Sequence, residues 1–252
     1  MKQKKNIIVV GYPKSGTNWL SRLVAELLQC NFLGDWGFET VNASSIKREN
    51  SVSEFQVYKS HHIQNEIENA SDKKVYKIIY IIRDPRDIVI SGAHFFNFSS
   101  PLGSFFKKFR LNNLLKDLSF EKKKKKMIRA ILYGNNKNKT FWLGVPWSLH
   151  YKDYLKKEVL FIKYEDLLKN PENELESILN YLDLKVNYQH IKESIRNQSF
   201  QKRQKEVLQQ EHKNLIKLVR KGSSGYWKNE FTEEEKKMFK LKLKDSNNLY
   251  NF

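Results

Sequence analysis

Four short clusters in this sequence combine residue types that bind anions and move protons. Gly11-Tyr12-Pro13-Lys14-Ser15-Gly16-Thr17-Asn18-Trp19 sets a lysine and hydroxyls around two glycines. Lys59-Ser60-His61-His62 places an ammonium two residues before an imidazole, whose reference pKa of about 6.5 suits a general base. Arg83-Asp84-Pro85-Arg86-Asp87, followed by Ser91, offers a guanidinium able to clamp a phosphate in bidentate fashion and a hydroxyl donor beyond it. Taken alone, Arg83 equally fits an ion pair with a neighbouring Asp. Arg220-Lys221-Gly222-Ser223-Ser224-Gly225-Tyr226-Trp227-Lys228 is rich in glycine and base and lacks a packing pattern.

Each cluster stands at the end of an element that must hold it. Ile7–Val10 predicts a strand, and Leu20, Leu23, Val24, Leu27 and Leu28 fall on one helical face. The loop between them therefore meets the N-terminus of a helix, where unpaired N–H groups and the positive end of the dipole favour an anion. By itself such a loop is equally an ordinary strand–turn–helix. Phe55–Tyr58 reads as a short strand running into Lys59 and His61, and Val75–Ile82, nearly continuous in β-branched and aromatic residues, as a buried parallel strand. Asp84, Pro85 and Asp87 then supply an N-cap, a first helical residue and first-turn negative charge. Val159–Tyr164 is a further strand, Asn170-Pro171 opens a helix over Glu172–Leu182, and Thr232 to Glu235 forms a capping box for the last helix.

The alternation predicts an α/β fold with a mainly parallel sheet and helices on both faces, as one domain over residues 1–252. Open sheets of this kind place ligands at the carboxyl ends of their strands. Asn31 to Gln56 shows no sustained period and reads as loop-rich; its aromatic residues fit the lining of an acceptor pocket or, the preferred reading, fasten the loop to the body. Phe105, Phe106 and Phe109 have helical spacing, Lys122 to Lys126 read as an exposed helix face, and Phe141, Trp142 and Trp147 as packing. The lysine run also admits a sharper role, steering an acidic acceptor.

The net charge of +18 points to an anionic partner, without saying which: nucleic acid, acidic glycan, membrane surface and nucleotide cofactor all fit. One cysteine, Cys30, rules out an intrachain disulfide and a cysteine-based zinc cluster. The apolar run behind the basic start is too short for a signal-peptide core, and no stretch has the length and purity of a membrane span, so a cytoplasmic protein is expected.

Together, in this order, the clusters resemble the cytosolic-type sulfotransferases, which use 3′-phosphoadenosine 5′-phosphosulfate (PAPS) and belong to a P-loop-like nucleotide-binding fold. Tyr12 to Trp19 resembles the family's 5′-phosphosulfate loop, Arg83 to Ser91 its 3′-phosphate motif, and Arg220-Lys221-Gly222 with Gly225, Trp227 and Lys228 its C-terminal cofactor clamp. The resemblance implies that Lys14 stabilises charge on the leaving oxygen, with Ser15, Gly16, Thr17 and Asn18 supplying donors around the 5′-phosphosulfate. It implies that His61 is the general base and that Lys59 neutralises the sulfuryl group in transfer. Arg83, Ser91, Arg220, Lys221 and Gly222 would hold the 3′-phosphate, and Trp19, Tyr164 and Phe200 would surround the adenine. The implied acceptor is a hydroxyl, less often an amine, on a small molecule, glycan or lipid, and neither metal nor nucleic acid is expected. Lys14 precedes Gly16, whereas the usual ATP loop carries its lysine after the last glycine. A P-loop nucleotide kinase and a basic nucleic-acid-binding protein are the competing readings. His62, directly after His61, leaves room for a one-residue shift of the base. Gln198 replaces a common threonine, Tyr226 an acidic residue, and Glu233 and Lys237 break the family's dimerisation motif.

Overall fold

The structure is a computed structural model that describes residues 4–38, 45–49, 51–96, 98, 118–135, 143–209, 221–246 and 249–250. The chain forms two compact units, one from residues 1–84 and 149–224, the other from 85–148 and 225–252.

The first unit holds a sheet of five parallel strands: β1 (Lys5–Val10), β2 (Asn31–Asp35), β3 (Phe55–Ser60), β4 (Val75–Ile82) and β5 (Leu160–Lys163), in the order β2-β3-β1-β4-β5. The fold class read from the sequence is therefore the one observed. Ile7 to Val10 are fully buried because β1 is the central strand, flanked by β3 and β4. On one face of the sheet Ile7, Val9, Val57, Ile79 and Ile81 pack with Leu20, Leu23, Val24 and Leu27 of helix α1 (Thr17–Leu27). Each such leucine contributes roughly 1.5–3 kcal/mol by leaving water. A second, aromatic cluster joins Tyr80 to Phe161, Tyr154 and His150.

The connection after β1 runs to the β2 side of the sheet, and the chain after β4 runs to the β5 side. The carboxyl ends of β1 and β4 therefore border the point where connections diverge, the usual seat of a ligand in open parallel sheets. Lys14 follows one of these ends and Arg83 the other.

β2 is a correction: the loop-rich segment expected over residues 31–56 contains an edge strand, paired with β3 through Asn31, Phe32 and Asp35. Gly34 and Asp35 have weak strand propensity, and the pairing supplies what local preference lacks. Trp36, just beyond, is buried and donates its indole N–H to the Ile67 carbonyl at 2.7 Å, on the short helix α2 (Gln64–Ile67). It fastens the segment as expected. Cys30 is buried at the end of α1, and burial raises its thiol pKa to about 12.

In the second unit, helix α3 (Pro85–Phe95) packs against the helix Phe120–Tyr133, with Gly92 facing Met127. The lysine run lies on the latter helix and is not one exposed face. Lys124 is buried, bonded to Glu121 at 3.0 Å, Glu235 at 3.2 Å and the Glu230 carbonyl at 2.8 Å. The expected capping box of Thr232 and Glu235 opens the helix Glu233–Lys242. Trp147 is buried, as read. Phe105, Phe106, Phe109, Phe141 and Trp142 lie outside the described residues. Among the described residues no helix is long and apolar enough to cross a membrane.

Candidate active site

The loop after β1 is built to receive an anion. Gly16 caps α1 in the left-handed region, at φ +99°, and no side chain bonds the first turn as a cap. Nor does an acidic residue stand in that turn, so no side-chain cap and no carboxylate offsets the positive end of the helix dipole. A Cβ at Gly16 would lie 2.7 Å from the Tyr164 ring, which is why only glycine fits there. Lys14 itself has φ +74°, a strained backbone for a residue with a side chain. Within the loop, the Ser15 Oγ and Asn18 Oδ1 are buried without a hydrogen-bond partner, a costly state that a bound polar ligand relieves.

Arg83 joins this loop to the segment after residue 220. Its guanidinium donates to the Lys14 carbonyl and to the Ser223 carbonyl, each at 3.0 Å, and stacks on the Tyr164 ring at 4.1 Å. Its Nε is buried with no partner. The alternative pairing of Arg83 with a neighbouring Asp is not seen among its described contacts, whereas the Asp84 N–H donates to Glu165 at 3.1 Å. Trp19 meets Tyr164 edge to face at 5.8 Å and donates its N–H to the Gln198 carbonyl at 3.0 Å. Gln198 turns its side chain to Arg22 and Glu26. Gly222, at φ +59°, sits so close to Phe200 that any Cβ would strike the ring. The structure thus groups Lys14, Ser15, Gly16, Arg83 and Tyr164 with Trp19, and Gly222 with Phe200. Lys221 is exposed beside Gly222.

The two histidines after β3 differ. The His61 Nδ1 lies 2.7 Å from the Gly11 carbonyl, an oxygen that can only accept. Nδ1 therefore carries the proton, and Nε2 holds the basic lone pair. Burial first, and the Lys59 charge second, push its pKa down to about 3, so the imidazole is neutral. His62 is buried and folded back on Ser60, whose Oγ is 2.9 Å from its Nδ1 and accepts from its main-chain N–H at 3.1 Å. Lys59 is paired with Asp35 at 2.8 Å, from the tip of β2.

The sequence matches a family model, the sulfotransferase domain, over residues 4–246. The chain is a member of the sulfotransferase domain family. Similar relatives include mouse Sulfotransferase 2A6, 25% identical over 268 residues, covering 96% of this chain and 84% of that protein. The 3-alpha-hydroxysteroid sulfotransferase of Cavia porcellus is 25% identical over 267 residues, covering 93% and 81%. Among solved structures, mouse sulfotransferase SULT7A1 complexed with PAP superposes with TM-score 0.67 at 22% identity, over 96% of this chain and 86% of that one. Retinol dehydratase in complex with androsterone and inactive cofactor PAP gives 0.65 at 19% identity, over 97% and 81%. These two share its fold.

Of the other predicted residues of this sulfotransferase, Ser91 lies on α3 in the second unit, and Arg220 is outside the described residues. In that unit the Asp87 carboxylate accepts from the N–H of Gly225 at 2.6 Å and of Trp227 at 3.2 Å, and Arg86 stacks on Trp227 at 3.7 Å. Asp87 thus shapes the tryptophan turn, beyond the first-turn charge expected of it. Asp35 and His150 were not read from the sequence. A lone carboxylate and a lone histidine give no local signal; only the sheet order and the packing of the helix Trp147–Tyr154 bring them to Lys59 and His61.

Proposed function

We propose that this sulfotransferase moves a sulfuryl group from PAPS to a hydroxyl of a small-molecule acceptor, with His61 as general base. The observation that carries the reading is the 2.7 Å bond from His61 Nδ1–H to the carbonyl of Gly11, at the start of the Lys14 loop, which assigns the proton to Nδ1 and the basic lone pair to Nε2. When bound, PAPS supplies the sulfuryl group and its phosphate leaving group. Lys14, with the Ser15 hydroxyl and the N–H groups from Gly16 to Asn18, holds the 5′ end and balances charge on the oxygen that departs. Lys59 offsets the charge of the group in flight, and His61 Nε2 takes the acceptor proton as the new O–S bond forms. Arg83, Lys221 and Gly222 hold the 3′-phosphate, and Trp19, Tyr164 and Phe200 bound the adenine. The unpartnered Ser15 Oγ and Arg83 Nε fit such a bidentate anionic cofactor. PAP in the solved relatives, and steroid acceptors in the names of the curated ones, support the class of both ligands.

Residues 1–252 are read as one sulfotransferase domain, which the family match over 4–246 supports. A single, buried cysteine supports a cytoplasmic setting. The family match disfavours the kinase and nucleic-acid readings.

Calorimetry should show PAP binding at least tenfold tighter than AMP, with the preference lost in Arg83→Ala; equal affinities would remove the 3′-phosphate assignment. His61→Ala should lose more than 100-fold in sulfate transfer while keeping PAP affinity within about twofold. Undiminished transfer would reject His61 as the base.

A further inference from the structure

β3 ends at Ser60, so the main chain at His61 lies beyond the strand. The carbonyl of His61 is nevertheless held. His150, only 1% exposed, places Nε2 3.0 Å from that oxygen. A carbonyl can only accept, so His150 Nε2 carries the proton and Nδ1 has the lone pair. The buried Tyr80 hydroxyl, 2.7 Å away, donates to that Nδ1. The edge of Tyr12, from the phosphate loop, packs on the same imidazole with ring centroids 5.6 Å apart. One turn along the helix Trp147–Tyr154, the Tyr154 hydroxyl donates to the His62 carbonyl at 2.8 Å. Two consecutive carbonyls after β3 are thus anchored from one helix, and each partner is committed to one direction of donation.

We infer that His150 is a positioning residue for His61: with Tyr80 it fixes the His61 main chain, while Gly11 fixes the ring, so that Nε2 is presented in one orientation. The inference rests on the reading of His61 as base. The His61 carbonyl, which can only accept, selects the His150 tautomer, and the Tyr80 hydroxyl, able to donate or accept, answers by donating to the Nδ1 lone pair. A base displaced by about 1 Å can lose on the order of 100-fold in rate, so the anchor matters even though His150 touches no reacting atom.

Three variants test this. His150→Phe removes the donor and keeps the bulk, His150→Gln keeps a donor at the reach of Nε2, and Tyr80→Phe removes only the hydrogen bond to Nδ1. Long-range proton–nitrogen spectra of the imidazoles, recorded without ligands, should show one His61 tautomer in the wild type and in His150→Gln, and an averaged mixture in His150→Phe. With PAPS and a simple phenol as acceptor, kcat should fall 10- to 100-fold in His150→Phe, less in Tyr80→Phe, and recover largely in His150→Gln. PAP affinity and the KM for the phenol should stay within about threefold. A single His61 tautomer in His150→Phe overturns the inference, as does a change confined to KM, which would make His150 an acceptor contact. Equal damage in His150→Phe and His150→Gln, with PAP binding lost, would reduce it to packing. His61→Ala run in parallel separates the two readings: if it stays active the base assignment fails, whereas an inactive His61→Ala beside a fully active His150→Phe overturns this inference alone.

Discussion

Gly16 and Gly225 separate two costs that a residue scan would lump together. Both have positive φ, +99° and +79°, so alanine is strained at either. At Gly16 the added Cβ also meets the Tyr164 ring at 2.7 Å, and Tyr164 carries both Arg83 and Trp19; at Gly225 nothing lies within 4 Å. Gly225→Ala should cost about 1 kcal/mol and Gly16→Ala about 2–4 kcal/mol by urea unfolding, the difference being displacement of the ring. PAP affinity should fall more than tenfold in Gly16→Ala; a pair of variants with equal stability and equal affinity would show that the ring yields freely. At this scale the sequence was informative where function dictates residue type in a fixed local order, as at Lys14, Lys59, His61 and Arg83. It was silent where a side chain acts from another element: Asp35 on Lys59, His150 on His61, and Asp87 on the turn at Gly225 all depend on long-range placement.

Elements were legible in proportion to how strongly local preference agreed with tertiary demand. β4 announced itself because a strand buried over its carboxyl half is written almost wholly in β-branched and aromatic residues. β2 did not, because an edge strand containing a glycine gains its order from β3. The lysine helix shows a subtler loss. Five consecutive like residues cannot reveal which one turns inward, yet a period of 3.6 over a buried stripe at Met127, Ile128 and Ile131 puts Lys124 on that side. Lys124→Ala would take from Glu235, itself mostly buried, the cation it pairs with, leaving it the Thr232 N–H of the capping box. Such a break costs about 3–5 kcal/mol, whereas Lys122→Ala and Lys125→Ala, on the exposed side, should stay within about 0.5 kcal/mol. Denaturant midpoints for the three variants decide the matter, and equal midpoints would mean that the paired lysine contributes no more than its neighbours.

For the molecule as a whole, a chain of net charge +18 keeps several histidines from adding to that charge. Burial, the leading cause in each case, lowers His61 to about 3, His150 to about 4, and His62 below its ordinary value of 6.5. Once unfolded, these groups take up protons below about pH 6.5, whereas in the native state His61 refuses its proton until near pH 3 and His150 until near pH 4, and His62 is shifted in the same direction. The unfolded chain therefore binds more protons across that window, and stability must fall as pH drops from about 6.5, with no contribution from these groups above it. Each fully released histidine adds up to about 1.4 kcal/mol per pH unit to the slope. Self-repulsion of the other surface charges acts in the same direction, but it is screened by salt while buried imidazoles are not. Urea unfolding between pH 7 and 5.5 should thus keep most of its pH slope in about 0.5 M salt, and His150→Gln, with one titrating group fewer, should flatten it measurably. A slope that vanishes in salt, or is identical in His150→Gln, would assign the acid sensitivity to surface charge instead of to the buried histidines.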